Sequence, residues 1–433
     1  MTQRLVADAV FTVDDDDTVL APGAVEVDEG RITWVGDPWQ EPPGRETEVL
    51  ELGGLLMPGL VNCHGHSPMT LVRSAGDGLP LDRWLSESIW PREARMSDED
   101  VYWGMVLGAA ELLGNGVTTS SEQYRHPEPV VRALLDSGMR AVYTPAIFDV
   151  PANGDTWSAL LEDACALHDA FAGKEERLQL GFGPHAVYTV PPEGLATIGA
   201  EAQRRGALLQ IHLCETRAEG DVVRQRYGLS APAVLAREGV LDGRVLAAHA
   251  VWPEDDDLAL LAEFDVAVAH CPGSNGKLGS GVAPLAEYLA RGVRVGLGTD
   301  GPASNDDLHL WDEMRLSALL ARATAADPGV VSSRTALRLA TRGGADALGL
   351  PVGTLEPGRV ADLIRLRTDD PRFTPATSDE ELLGHLVWAA AGYLVTDVWV
   401  GGERVVHDAR CTRIDAEQAR AEVAQRARRL LAS

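Results

Sequence analysis

The chain has 433 residues, of which 45% are hydrophobic, 24% charged and 5% aromatic, a composition that excludes a disordered or collagen-like protein. At about 150 residues per domain this length predicts two or three domains, although one α/β barrel can absorb about 250 residues. With 38 Lys and Arg against 65 Asp and Glu the net charge is −27, which disfavours nucleic acid and anionic membranes as partners.

Residues 1–56 are predicted to form short strands, because runs of apolar and β-branched residues alternate there with turn residues. The predicted strands are Leu5–Val13, Ala24–Val27 and Arg31–Val35.

Residues 57–350 alternate apolar runs with helix-length amphipathic segments. Eight such β-then-α units predict an α/β fold, a distorted (β/α)8 TIM barrel whose strands are covered on both faces. The predicted strands are Leu56–Cys63, Gly116–Ser120, Arg140–Ile147, Leu178–Pro184, Ala207–Leu213, Val245–His249, Val266–His270 and Val293–Thr299. Predicted helices include Asp98–Leu113, Trp157–Phe171, Leu258–Phe264 and Leu308–Ala323, the first opening with Ser97 and Asp100 as a capping box. An open doubly wound sheet is the alternative on this pattern.

Residues 351–433 return to short strands, predicted at Ala361–Leu366, Val395–Val400 and Glu403–Val406, before a closing helix rich in Arg and Glu. Small β modules at both ends of the chain predict one composite β-sandwich domain built from residues 1–56 and 351–433 beside the barrel.

Several absences bear on the cellular compartment. No run of about 18 apolar residues occurs, and Met1–Val10 lacks the basic start and apolar run of a signal peptide. The five cysteines are widely spaced and form no CxxC pair. These features favour the cytoplasm and predict neither a disulfide framework nor a membrane partner.

Five histidines and one aspartate lie at the ends of the predicted barrel strands. They are His64, His66, His185, His212, His249 and Asp300. Because catalytic groups of a TIM barrel gather at the C-terminal rim, we expect these side chains to lie together. We interpret His126, His168, His309, His385 and His407 as surface or structural residues, and His270, beside Cys271 and Pro272, as structural too.

Three imidazoles and a carboxylate in this set form a plausible ligand set for one divalent metal ion. His64 and His66 are two residues apart in an extended segment, so their side chains share a face. Together with His212 and Asp300 they suit Zn²⁺ or another borderline divalent ion. Such an ion lowers the pKa of a bound water towards about 7. The sequence therefore predicts a hydrolase that uses zinc to activate water.

The number of metal ions follows from the rarity of lysine. A second metal in such barrels usually needs a carboxylated lysine or a Glu at the end of strand four. The end of that strand here reads Gly183–Pro184–His185, and the two lysines, Lys174 and Lys277, lie elsewhere. We therefore expect a single metal ion.

Two further residues are candidates for acid–base and electrostatic roles. Glu215 lies three residues after His212, where a carboxyl could deliver a proton to a substrate nitrogen; the alternative is a Glu that stabilises a helix N-terminus. His249 could orient the attacking water and stabilise a developing oxyanion; the alternatives are a metal ligand or a group that supports one.

Several segments resemble one known family. They are Met57–His66, Gly181–His185, His212–Thr216, His270–Leu278, Gly298–Asn305 and Gly353–Leu363. Their combination is similar to the amidohydrolase superfamily, in its branch of metal-dependent deaminases and chlorohydrolases. Pro68–Leu71 with Trp84 and Glu93 resembles the 5-methylthioadenosine/S-adenosylhomocysteine deaminases within that branch.

The resemblance implies a role for each candidate. His64, His66, His212 and Asp300 would hold the metal, and Asp300 would also take the proton of the attacking water. Glu215 would protonate N1 of the purine and His249 would orient the nucleophile. Glu93 would bind the ribose hydroxyls, Trp84 would line the pocket and His185 would contact the substrate. The substrate would be a purine nucleoside, and the chain a homo-oligomer, as is common in the family.

One departure from the family narrows the expected substrate. Family members that accept S-adenosylhomocysteine carry arginines after strand three that pair with its carboxylate. Residues Ala141–Trp157 contain neither Arg nor Lys. An unpaired carboxylate would forgo roughly 1.5–3 kcal/mol, so we expect adenosine, 5′-deoxyadenosine or 5′-methylthioadenosine as the substrate.

Other functions stay open at this level. The same metal motif serves chlorohydrolases of s-triazines and deaminases of guanine or pterins, although Trp84 and Glu93 favour a ribose-bearing substrate. A barrel that has lost catalysis is the third alternative, which the full set of candidate ligands and Glu215 disfavour.

Overall fold

A computed structural model describes residues 2–39, 47–149, 154–171, 173–389 and 392–431. The described strands form four sheets, two from the terminal segments and two from the middle of the chain. The strands up to the first long helix are β1 (Thr2–Ala7), β2 (Ala9–Phe11), β3 (Val19–Leu20), β4 (Gly23–Asp28), β5 (Arg31–Gly36), β6 (Thr47–Glu51), β7 (Leu55–Pro58) and β8 (Leu60–Gly65). Those that follow are β9 (Val117–Tyr124), β10 (Arg140–Ile147), β11 (Leu178–Leu180), β12 (Gly183–Pro184), β13 (Leu208–Leu213), β14 (Arg244–His249), β15 (Ala267–His270), β16 (Val295–Leu297), β17 (Leu363–Leu366), β18 (Val395–Val400), β19 (Glu403–His407) and β20 (Arg410–Cys411).

The two ends of the chain share a sheet. β7 pairs in parallel with β2 and antiparallel with β17, within a seven-stranded sheet of order β20-β19-β18-β17-β7-β2-β3. A second, four-stranded sheet of order β5-β4-β1-β6 comes from the N-terminal segment alone. Strands from both terminal segments thus lie in one sheet.

The middle of the chain is built from parallel strands. One sheet has the order β11-β10-β9-β8, with β12 on β10, and the other has the order β13-β14-β15-β16. Isolated parallel bridges join their edges, Phe182 to Leu209 and Ala186 to His212 on one side and Gly65 to Asp300 on the other. Backbone hydrogen bonds accompany these bridges, among them Asp300 N to His64 O at 3.0 Å.

Helices connect the parallel strands and close the chain. The α-helices are α1 (Leu81–Arg83), α2 (Trp90–Glu93), α3 (Asp98–Gly114), α4 (Pro127–Ser137), α5 (Trp157–Phe171), α6 (Pro192–Arg205), α7 (Arg217–Tyr227), α8 (Ala231–Arg237), α9 (Asp255–Glu263), α10 (Pro272–Lys277), α11 (Leu285–Ala290), α12 (Leu310–Ala325), α13 (Ser333–Ala340), α14 (Arg342–Leu348), α15 (Asp379–Trp388) and α16 (Ala416–Leu431). A π-helical Trp84–Ile89 joins α1 to α2, and 3-10 turns cover Ser67–Val72, Val240–Asp242, Pro371–Phe373 and Gly392–Leu394. The predicted capping box of Ser97 and Asp100 at α3 is confirmed.

Three predicted strands are wrong as single strands. Leu5–Val13 divides between two sheets at Asp8, whose carboxylate accepts a hydrogen bond from Gly54 N at 2.7 Å. Leu56–Cys63 divides at Gly59, where a Cβ would lie 2.2 Å from the Thr118 side chain, so that β7 enters the terminal sheet and β8 the parallel one. Leu178–Pro184 divides into β11 and β12. A continuous apolar run does not reveal where a strand changes sheets.

The parallel strands are buried on both faces. Every residue of β13 is buried, as its apolar sequence predicts, and so is every residue of the polar β9, Val117–Tyr124. Most buried polar side chains of β9 have a partner within the protein, such as Ser121 Oγ, which donates to Gln210 Oε1 at 2.7 Å. Thr119 Oγ1 makes no hydrogen bond with the described residues. Among the described residues, no helix is both long and apolar enough to cross a membrane.

Candidate functional site

The predicted site residues lie where the parallel strands end. His64 belongs to β8 and His66 follows it, while His212 and His249 belong to β13 and β14. Asp300 follows β16. Because parallel strands present their carboxyl ends at one edge, four strands deliver their polar side chains to a common point.

The side chains converge closely. Asp300 Oδ1 lies 3.4 Å from His64 Nε2 and 3.2 Å from His66 Nε2. His66 Nε2 lies 3.3 Å from His212 Nε2. His64, His212 and His249 offer ligand atoms within 4.8 Å of one another, as do His64, His66 and Asp300.

Hydrogen bonds at Nδ1 orient three of the four rings. Nδ1 of His66 bonds to Gln123 O, and Nδ1 of His212 bonds to His185 O at 2.8 Å. Nδ1 of His249 bonds to Asn275 Oδ1 at 3.0 Å. Because a carbonyl oxygen can only accept, we assign the proton to Nδ1 in each ring, which leaves Nε2 with its lone pair free.

The donor set fits a metal ion. His64 is fully buried, and neither of its ring nitrogens makes a hydrogen bond of good geometry with the described residues. A buried polar atom without a partner is costly, and a bound cation would satisfy it. Three imidazole nitrogens and a carboxylate oxygen at this spacing match the ligands that Zn²⁺ prefers.

Asp300 is held by both of its oxygens. Oδ2 accepts hydrogen bonds from Ser274 Oγ and Ser304 Oγ, each at 2.6 Å, while Oδ1 faces the histidine rings. Burial alone would raise the pKa of Asp300, but the neighbouring His64 and His66 rings hold it well below its usual value. The carboxylate is therefore available as an anion.

Strained backbone marks three positions of the site. Cys214, His249 and Asp300 have φ angles of 53°, 68° and 58°, in the left-handed region that residues with a Cβ seldom adopt. Each such residue costs on the order of 1–3 kcal/mol and persists only where its surroundings fix it. The left-handed turns bend the chain away from the strands directly at the cluster.

Glu215 reaches the same point from the turn after β13. Its side chain is buried, and Oε2 lies 3.9 Å from His249 Nε2. Burial raises the pKa of this carboxyl above its usual value. A carboxyl with a raised pKa beside a metal-binding cluster is suited to hold a proton and deliver it to a substrate.

A pocket opens above the cluster. Trp84, Glu93 and His185, the three predicted substrate-binding residues, all line it, together with His66, His212, His249, Glu215 and Asp300. Trp84 Nε1 donates to Ala75 O at 2.8 Å, so the indole is fixed. Burial and the neighbouring His66 lower the pKa of His185 to about 3, so its ring is neutral.

Glu93 has an arrangement suited to hydroxyl groups. Oε1 accepts a hydrogen bond from Tyr124 OH at 2.7 Å, and Oε2 has no hydrogen-bond partner among the described residues. Burial raises the pKa of Glu93, partly offset by the bond from Tyr124. One oxygen is thus anchored while the other remains free to accept from a ligand.

Sequence reasoning missed other residues of the pocket. Arg125, Trp90, Phe148 and Tyr188 line it as well, and Asn275 orients His249 from outside. Tyr124 and Arg125 lie at the end of the polar run of β9, which was the signal that could have found them. The histidines interpreted as structural, including the buried His270, do not line the pocket.

The chain is similar to known proteins over nearly its whole length. The model of the amidohydrolase family matches residues 55–405. The 5-methylthioadenosine/S-adenosylhomocysteine deaminase of Pelotomaculum thermopropionicum is 40% identical over 427 residues, 98% of this chain and 97% of that protein. The 5′-deoxyadenosine deaminase of Methanothermobacter thermautotrophicus is 37% identical over 386 residues, 89% of this chain and 90% of that protein. A crystal structure of an adenosine deaminase from Xanthomonas campestris with bound zinc superposes with a TM-score of 0.95 at 33% identity, covering 100% of this chain and 99% of the other.

Proposed function

The chain belongs to the amidohydrolase family, and on that premise we propose that it is a zinc-dependent deaminase of 6-aminopurine nucleosides. Its reaction would replace the 6-amino group by oxygen, giving the inosine analogue and ammonia. One observation supports this proposal most strongly. The histidine–aspartate cluster, the buried Glu215 and Glu93, which has one carboxylate oxygen without a hydrogen bond from the described residues, all lie at one pocket.

We assign His64, His66, His212 and Asp300 as the ligands of one Zn²⁺ ion per chain. The unpartnered His64 nitrogens and the Nε2 atoms left free by the Nδ1 bonds support this assignment. A single ion is favoured because the second-metal position at the end of strand four is occupied by Gly183–Pro184–His185. When bound, the ion would lower the pKa of a water molecule and so make it available for attack on C6.

Glu215 and Asp300 divide the proton transfers. Asp300, kept anionic by the nearby imidazoles, accepts the proton of the attacking water. Glu215, whose pKa is raised by burial, protonates N1 of the purine as the bond to C6 forms. Asp300 would then pass its proton to the 6-amino group, so that the C6–N bond breaks and ammonia leaves. The proton of the new hydroxyl group would return to Glu215, which leaves the C6 oxygen as the carbonyl of the inosine analogue.

His249 acts on the attacking oxygen. Its Nδ1 donates to Asn275, so Nε2 faces the cluster and lies 3.9 Å from Glu215 Oε2. From this position the Nε2 lone pair would accept a hydrogen bond from the attacking water and so orient its oxygen towards C6.

Glu93, Trp84 and His185 would position the substrate. The free Oε2 of Glu93 accepts from the ribose hydroxyls, Trp84 packs against the nucleoside, and the neutral His185 contacts the bound substrate. Adenosine, 5′-deoxyadenosine and 5′-methylthioadenosine are the proposed substrates.

We propose the following architecture for this enzyme. The parallel strands of residues 57–350 close into a distorted (β/α)8 barrel, an arrangement supported by the bridges Phe182–Leu209, Ala186–His212 and Gly65–Asp300. Residues 1–56 and 351–433 form the composite β-sandwich, supported by the sheet that they share. All five cysteines are free, which supports a cytoplasmic location. That the chain forms a homo-oligomer stays a prediction.

A substrate panel tests the function. The zinc-loaded protein would be assayed for ammonia release from adenosine, 5′-deoxyadenosine, 5′-methylthioadenosine, guanine and a pterin, and for chloride release from a chlorinated s-triazine. We expect turnover of the adenosine derivatives above all others, and its loss in Glu215→Gln. Preference for guanine, the pterin or the triazine would contradict the proposal.

A further inference from the structure

Arg125 brings a positive charge into the pocket. Among the pocket-lining residues that the structure describes, it is the one Arg or Lys side chain. It directly follows β9 and adjoins Tyr124, which donates to Glu93. Its charge also acts on the Glu93 carboxyl. Arg125 therefore lies on the side of the pocket where Glu93 would bind ribose.

This guanidinium is already engaged by an acid. Arg125 Nη2 lies 2.7 Å from Asp155 Oδ2, and the two side chains are 20% and 36% exposed. Asp155 precedes α5, on the segment after β10. Nε and Nη1 of Arg125 make no hydrogen bond with any described residue, so the guanidinium keeps donors that a ligand could use.

The charges of Arg125 and Asp155 bear on which 5′ substituents can bind in the pocket. A carboxylate arriving at Arg125 would meet a cation whose charge Asp155 already balances, and it would also approach the Asp155 carboxylate itself. Like charges at close range are destabilising, so the Asp155 carboxylate would repel the arriving carboxylate. A neutral tail escapes both effects.

We propose that Asp155 acts as a charge filter, a residue whose carboxylate selects substrates by the charge of their 5′ substituent. This proposal rests on the proposed function. By neutralising Arg125, Asp155 restricts the enzyme to nucleosides whose 5′ substituent carries no carboxylate. Without the Asp155 charge, Arg125 becomes a binding residue for such a carboxylate. Residues 141–157 contain no Arg or Lys that could bind a carboxylate, and the Asp155–Arg125 pair disfavours one. Both features therefore favour substrates whose 5′ substituent is uncharged.

Two thioether substrates test the filter. 5′-Methylthioadenosine and S-adenosylhomocysteine share their nucleoside and sulfur, but only the second carries a carboxylate. We expect Asp155→Asn to raise the ratio of kcat/KM for S-adenosylhomocysteine over 5′-methylthioadenosine by about 10- to 100-fold, the effect of one charge-assisted bond. The double variant Asp155→Asn/Arg125→Gln should return the ratio to the wild-type value. Glu162→Gln, which removes an exposed charge from neighbouring α5, should leave the ratio unchanged.

The other outcomes separate the filter from the function. An unchanged ratio in Asp155→Asn, or a wild-type enzyme that uses both substrates equally, would overturn the filter and leave the deaminase intact. A selective loss of S-adenosylhomocysteine turnover in Arg125→Gln alone would also overturn it, since Arg125 would then bind the carboxylate despite Asp155. If no nucleoside is turned over or bound by the zinc-loaded protein, the function and the filter both fail.

Discussion

Both oxygens of the Glu219 carboxylate accept hydrogen bonds from the backbone that carries Glu215. Cys214 N donates to Oε1 at 3.2 Å, and Glu215 N donates to Oε2 at 2.7 Å. Cys214 is one of the residues held at a left-handed φ, so Glu219 fixes the strained turn that directs Glu215 into the pocket. Glu219 itself lies in the first turn of α7, where its own N–H donates to Thr216 Oγ1 at 3.1 Å.

Glu219 is accordingly a positioning residue. In Glu219→Gln an amide NH2 replaces one accepting oxygen, so one backbone N–H loses its partner and the turn relaxes. We expect kcat for adenosine to fall by about 10- to 100-fold, the worth of a hydrogen bond to a charged group, while KM and zinc content stay near wild type. Glu193→Gln, an exposed Glu in the first turn of α6, is the matched control. Equal losses in kcat and in zinc content would point to a merely structural role.

Glu215→Gln tests the proton transfer. The amide keeps the size of the side chain but cannot deliver a proton to N1, so kcat should fall by about 10²–10⁴-fold. Zinc content, measured by elemental analysis, should remain at the wild-type level because Glu215 is not among the proposed ligands. Turnover within a few-fold of wild type would refute its role as proton donor.

Zinc stoichiometry tests the cluster. We expect about one equivalent of zinc per chain, lost together with activity in His64→Asn and in Asp300→Asn, because the ligand atoms surround one point. Removal of zinc by a chelator should also lower Tm, since an ion that binds only the folded state stabilises it. Two tightly held equivalents, both needed for activity, would contradict the single site.

Glu93→Gln tests ribose recognition. The variant weakens the acceptor at Oε2 but leaves the metal cluster untouched, so kcat/KM for adenosine should fall by about 10- to 100-fold. Tyr124→Phe removes the hydroxyl contacts with Glu93 Oε1 and Met96 Sδ but leaves Oε2 of Glu93 in place, so it should cause a smaller loss. A substrate without ribose, such as free adenine, should be affected by neither change. Equal losses for adenine and adenosine would exclude a role in binding the sugar.

A buried ion pair connects β10 to the terminal segment. Asp362 accepts from Arg140 Nε at 2.8 Å and Nη2 at 3.1 Å, and from Gly401 N at 2.7 Å. Because Asp362→Asn leaves the Arg140 charge buried without a counter-ion, we expect the free energy of unfolding to drop by about 3–5 kcal/mol in urea. Glu87→Gln, which breaks the exposed Arg83–Glu87 pair, should cost no more than about 0.5 kcal/mol. Equal effects would show that burial of the Arg140 pair contributes nothing.

The candidate site residues can be recognised in the amino-acid sequence because their positions follow from a general property of parallel strands. His64, His212 and His249 end apolar runs, and parallel strands bring such ends together whatever the loops between them do. Asp300 follows the last such run for the same reason. The period-two spacing of His64 and His66 likewise requires nothing beyond an extended backbone.

Other features could not be predicted. The division of Leu56–Cys63 at Gly59 depends on which sheet each half joins, and a run of apolar residues is compatible with either. β9 has a polar sequence but is wholly buried. Ser121 can be buried there because it hydrogen-bonds to Gln210 on β13, 89 residues later in the chain.

The sequence by itself determined the chemistry at the strand ends, the parallel α/β pattern and the presence of β segments at both termini. Only the tertiary structure decided which groups support and restrict that chemistry: Glu219 beneath Glu215, Asn275 behind His249, and Asp155 against Arg125. The physical reason is that strand periodicity fixes side-chain direction locally. Contacts between loops depend instead on backbone angles, such as the left-handed φ of Cys214, that only the packed chain holds in place.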